Sequence, residues 1–197
     1  MDTYYTLKAP SEAQFTEKRS RFLSYAIPVT SREEVKEHVR RIAKEYFDAR
    51  HVCYAFMLGA ERLDFLANDN GEPSGTAGKP ILGQINSFNL TNLLIVVVRY
   101  FGGVKLGTPG LIAAYREAAR LAIEAGEIME CHKMETVNIV FPYLAMNDVM
   151  KVVKSSEVEI LSQVFDNSCS MTISIRADIF PEIAGRLLAI DGVTEEQ

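Results

Sequence analysis

Six consecutive apolar residues, Leu93-Leu94-Ile95-Val96-Val97-Val98, constrain this chain more than any other feature of it. Successive side chains of a strand point to opposite faces, so a run with no polar position has to be covered on both sides. The segment is therefore a central strand with a layer on each face, or the middle of a core. It is far shorter than the ~20 residues that cross a bilayer. It leads into a glycine-rich loop, Arg99 to Gly110, and then into a helical run from Leu111 to Glu124, rich in Ala, Leu, Arg and Glu and closed by Gly126.

Elements on either side follow from periodicity. Phe22 to Ile27 has strand character and ends at Pro28, after which Ser31 and Glu34 form a capping box. The spacing of Val35, Val39, Ile42, Ala43 and Tyr46 predicts an amphipathic helix over 32–48 with a solvated charged face. Val52, Tyr54, Phe56 and Leu58 alternate as a strand, and Leu63 to Leu66 can return as a hairpin arm. Asn68 to Lys79 carries no apolar period and reads as a loop. Past the join near Ile128 to Lys133 the order is strand (136–141), helix (143–154), strands (158–165 and 170–176) and helix (180–190). That β-α-β-β-α order is most of a ferredoxin-like unit.

The 197 residues are 48% hydrophobic and 24% charged, with a net charge of -5, as in ordinary globular chains. Residues 1–130 hold 16 basic and 16 acidic side chains, whereas 131–197 hold 5 and 10. Two domains, 1–130 and 131–197, are therefore expected. A globally basic nucleic-acid binder is excluded, although a neutral domain can still present one basic face. The start, Met1-Asp2-Thr3-Tyr4, lacks the basic and apolar regions of a secretion signal, so a cytoplasmic protein is expected, without a membrane contact. Cys53, Cys131 and Cys169 are too few and too widely spaced for a disulfide framework or a zinc site, and buried thiols are expected.

The chemistry concentrates in two loops. The first, Asp69 to Pro80, combines Gly71, Gly75 and Gly78 with Asp69, Glu72, Ser74, Thr76 and Lys79. It is no Walker A loop, because Pro73 stands where that motif needs glycine and Pro80 follows the lysine. It is no nucleophile elbow either, since Ser74 is fourth rather than third in Gly71-Glu72-Pro73-Ser74-Gly75. The second loop lacks G-x-G-x-x-G but offers Arg99, Lys105 and the amides around Gly102, Gly103 and Gly107 ahead of a helix start, a recurrent anion-binding arrangement. Arg99 either forks onto such an anion or ties the loops together by pairing with Asp69 or Glu72. The plain alternative is that the glycines only turn the chain. A catalytic set of Ser74, His51 as base and Asp69 as orienter is the enzymatic possibility. No cofactor or metal is called for.

Arg19-Ser20-Arg21-Phe22, His51-Val52-Cys53-Tyr54-Ala55, the Asp69 to Gly78 loop and Val97 to Gly107 together resemble the YigZ/IMPACT family over about residues 15–125. The resemblance implies an α+β first domain similar to domain IV of translation elongation factor G, followed by the small ferredoxin-like domain of bacterial members. It also implies a role near translation: eukaryotic relatives restrain the starvation-sensing kinase pathway that acts on initiation, and nucleic-acid binding has been proposed for bacterial ones. No catalytic activity is established for the family. Three positions depart from the family pattern: Asn70 replaces a second acid, Thr108-Pro109 replaces a small-residue and Gly pair, and Ala113 replaces a basic residue, with Arg116 one turn later.

Two functional readings follow. In the first, a regulatory binding protein contacts RNA, the ribosome or a translation factor through Arg19, Arg21, Arg99, Lys105 and the two loops. In the second, a hydrolase or transferase uses the same loops to hold a small anionic ligand while Ser74, His51 or Asp69 acts on it.

Overall fold

The computed structural model describes residues 2–166 and 168–196. The chain falls into two compact units, Thr3–Cys131 and one that begins at His132. In the first, strands β1 (Thr3–Leu7), β2 (Ser11–Glu17) and β3 (Ser20–Pro28) precede helix α1 (Arg32–Glu45). Then come β4 (His51–Leu58), β5 (Asp64–Asn68), α2 (Gly78–Ser87), β6 (Leu93–Tyr100), α3 (Gly107–Glu124) and β7 (Ile128–His132). Five strands form one antiparallel sheet in the order β2-β3-β6-β4-β5, and β1 pairs with β7 separately.

The apolar run is the middle strand. Leu93, Ile95 and Val97 pack with Ile81 and Ile85 of α2 and the alanine-rich stripe of α3. Leu94, Val96 and Val98 pack with Val35 and Ile42 of α1. All six are fully buried, each contributing ~1.5–3 kcal/mol of transfer free energy. The unit is therefore three layers, one helix, the sheet, then two helices. Ser31 caps α1 as its sequence position predicts, its Oγ accepting from Glu34 N at 3.2 Å while Glu34 Oε2 accepts from Thr30 N at 2.7 Å. Lys18 and Arg19 both take positive φ, 45° and 67°, and make the tight turn between β2 and β3.

Helix α2 overturns the expectation of an unbroken loop to Lys79. Its first residue is Gly78 and its N-cap, Ala77, has no side chain to offer. The cap comes from Asp69, whose Oδ1 accepts from Ala77 N at 3.0 Å and Gly78 N at 2.8 Å while Oδ2 accepts from Gly75 N at 2.8 Å. Gly78 lies hard against the end of β5: a Cβ there would sit 2.4 Å from Asn68 N.

The second unit runs β8 (Met134–Phe141), a 3-10 turn (Tyr143–Ala145) into α4 (Met146–Lys154), β9 (Val158–Phe165), β10 (Cys169–Arg176), α5 (Phe180–Leu188) and β11 (Thr194–Glu196). Its antiparallel sheet has the order β11-β8-β10-β9. Its own core joins Ile139, Phe141, Met171 and Ile173 to Val149 of α4 and Leu187 of α5. Cys53 and Cys169 are buried, while Cys131 is half-buried.

Candidate functional site

Sheet register sets three residues in a row across adjacent strands: Phe22 of β3 opposite Arg99 of β6, and Arg99 opposite His51 of β4. Arg99 continues the face of Leu93, Ile95 and Val97, so its side chain turns into the layer beneath α2 and α3, only 7% exposed. A guanidinium there requires a partner. The first loop supplies it. Glu72 Oε1 accepts from Arg99 Nη1 at 2.7 Å and from the Tyr115 hydroxyl of α3 at 2.8 Å, and the Glu72 side chain is 3% exposed. Arg99 Nη2 donates to Ser20 Oγ at 3.5 Å, and its guanidinium lies 5.7 Å from the rings of both Phe22 and Phe101. One donor is left over: Arg99 Nε is buried with no hydrogen-bond partner among the described residues.

Burial and hydrogen bonding shift three neighbouring groups. Burial, with Cys53 and Glu72 nearby, pushes the Tyr115 hydroxyl far up, so it stays a donor. Burial likewise pushes the Cys53 thiol up to about 12, and its Sγ donates to Asp69 O at 2.9 Å, so it is no nucleophile. For Asp69 burial acts upward, but the amides of Gly75, Gly78 and Ala77 outweigh it and hold the carboxyl below its usual range. His51 Nδ1 lies 3.0 Å from Asn70 O, which can only accept, so Nδ1 carries the proton. His51 Nε2 lies 4.0 Å from Glu72 Oε1.

Arg99, Glu72 and His51 border a cavity of about 410 Å³ whose polar lining also includes Arg50, Lys105 and Thr108, with Phe101 and Leu111 on its apolar wall. Helix α3 begins there at Gly107 with no side-chain cap. With Arg99 and Glu72 paired to each other, Arg50, Lys105 and the positive end of an 18-residue helix are left at the cavity. That balance suits an anion.

The Impact N-terminal domain family matches residues 18–123. The IMPACT family member YvyE of Bacillus subtilis (strain 168) is 32% identical over 157 residues, 80% of this chain and 72% of the relative. The IMPACT family member YigZ of Escherichia coli (strain K12) is 40% identical over 119 residues, 58% of this chain and 57% of the relative. The chain belongs to the IMPACT family. A solved structure described as an hypothetical protein covers 99% of this chain and 97% of its own, with TM-score 0.77 and 26% identity. The matched IMPACT segment contains every residue that lines the cavity.

Of the residues singled out from sequence, the structure gathers His51, Glu72, Arg99, Lys105 and Gly107 at this IMPACT-domain cavity. Others lie elsewhere. Ser74 is exposed and outside the lining, and Asp69 does not orient His51, because its oxygens are taken by loop amides while Asn70 O orients the ring. The catalytic set of Ser74, His51 and Asp69 is therefore corrected. Thr76 Oγ1 donates to Pro73 O at 2.6 Å, and Gly71 leaves room beside His51, where a Cβ would lie 3.5 Å from Nδ1. Gly75 and Lys79 line a different hollow. Arg19 sits in the β2–β3 turn and Arg21 at the start of β3, over the Tyr100 ring at 4.9 Å. Gly102 presses against that turn so closely that a Cβ would fall 2.0 Å from the Arg19 carbonyl carbon, and Gly103 is exposed.

Asn70, the departure from the IMPACT pattern, has a local reason: at φ 39° its Nδ2 donates to Val52 O at 3.0 Å, which a carboxylate cannot do. Sequence reasoning missed Tyr115, Arg50 and Thr108. Tyr115 left one faint signal, a polar-tipped ring inside a stripe of alanines, Ala114, Ala118, Ala119 and Ala122.

Proposed function

We propose that this IMPACT-family chain is a regulatory binding protein acting in translation, and that the cavity beside α3 receives a phosphate group of RNA, free or in the ribosome. The observation that carries this reading is the convergence of Arg50, Lys105 and the uncapped start of α3 on one cavity whose single acid, Glu72, is neutralised by Arg99. Membership of the family supports the placement in translation. Arg19, on the turn that abuts Gly102, and Arg21, at the start of β3, extend the cationic surface next to the second loop. The test is RNA and ribosome association titrated with salt. Lys105→Ala and Arg50→Ala should each weaken binding and flatten its salt slope by roughly one charge's worth. No association at low salt refutes the reading.

A second reading, a hydrolase or transferase on a small anionic ligand, draws on His51, whose Nδ1 is held by Asn70 O while its ring borders the cavity. Thermal-shift screening of phosphorylated metabolites, followed by turnover assays with His51→Gln, separates the two readings. We also read the first unit as similar to elongation factor G domain IV and the second as ferredoxin-like. The β-α-β-β-α-β order with strand order β11-β8-β10-β9 supports the latter.

A further inference from the structure

A second hollow of about 740 Å³ lies along α2 and α3 and shares no lining residue with the anion cavity. Its apolar lining includes Leu82 and Ile112; Lys79 and Arg116 bring positive charge, Gln84 and Asn86 bring amides, and no acid lines it. A smaller hollow of about 260 Å³ shares Leu82 and Asn86 with it and adds Arg62 and Phe65. The two make one trough with three cations along it. Phe65 is 54% exposed at its end. Arg62 spends its terminal nitrogens on the side-chain oxygens of Asn86 and Asn89, and its Nε is buried with no hydrogen-bond partner among the described residues. Gly83, inside α2, has no steric reason to be glycine: a Cβ there would meet nothing within 4 Å. Glycine in a helix interior costs about 1 kcal/mol relative to alanine, so the residue lowers helix stability while keeping this wall of the trough bare.

We propose that this trough docks a peptide segment of a partner protein in which acidic residues flank an apolar side chain. The cations without an acid in the lining select negative charge, Leu82 and Ile112 accept the apolar group, and Gln84 and Asn86 can bond the peptide backbone. Single-stranded nucleic acid fits less well, because its bases need a series of ring faces and the trough offers one ring, at its end. A second copy of this chain using the same face would set cation against cation.

The full-length protein is used to select from a displayed library of short random-sequence peptides, and an enriched peptide is synthesised with a dye for anisotropy titration. Enriched sequences should carry Asp or Glu around Leu, Ile or an aromatic residue. Arg116→Glu and Lys79→Glu should each weaken binding by roughly tenfold or more. Gly83→Leu should weaken it too while holding or raising the melting temperature, a combination that loss of folding cannot produce. Lys105→Ala, in the other cavity, should leave peptide affinity unchanged, which keeps this test separate from that of the anion site. Failure to enrich any sequence, enrichment of basic peptides, or binding that survives both Arg116→Glu and Gly83→Leu overturns the proposal.

Discussion

At the residue scale the Arg99–Glu72 pair and Lys105 do different work although both border the same cavity. With side chains 7% and 3% exposed, the pair cannot lose one member without stranding the other charge. Arg99→Ala should therefore cost about 3–5 kcal/mol in urea unfolding, whereas Lys105→Ala, exposed, should stay within about 0.5 kcal/mol and show only in anion binding. Asp69 adds a pH dependence. Its carboxyl is held below its unfolded value near 3.9, so its contribution is full above that value and is lost as pH falls through the lower folded one. The stability gap between wild type and Asp69→Asn should thus be constant at neutral pH and shrink only below about pH 4. A gap that persists unchanged into strong acid would mean that charge plays no part in the cap.

At the scale of elements, close backbone contacts decide where the loops sit. Gly102 leaves no room for a side chain beside Arg19, so Gly102→Ala should displace the β2–β3 turn, seen as amide shifts at Lys18 to Ser20 and a lowered melting temperature. Most strands and α1 were legible in the sequence because their signals are local: alternation in β4, an unbroken apolar run in β6, Ser31 and Glu34 at one helix start. Helix α2 was not, because its cap lies eight residues before Ala77, in Asp69, and adjacent-residue rules cannot see that far. The short β1, β7 and β11 lack a period long enough to read. At the site, Arg99 and Glu72 were visible as charges in glycine-rich loops. Their pairing was one of two readings open for Arg99; that Glu72 rather than Asp69 is the partner, and that Tyr115 joins them, depends on sheet register and loop geometry, which the sequence did not reveal.

At the scale of the molecule, β6 stands between two hairpins that both precede it in the chain, β2–β3 on one side and β4–β5 on the other. During synthesis, everything up to Asn92 leaves the ribosome with the inner edges of β3 and β4 without the strand that joins them. The two hairpins cannot join until β6 arrives, and pairing across long sequence separations is slow. A fragment ending at Asn92 should accordingly show no slowly exchanging amides and should associate with itself, while one extended through α3 should fold. Exposed strand edges invite wrong partners, so the same insertion that gives the finished domain a strand buried on both faces leaves the half-made protein with two edges on which another chain can pair.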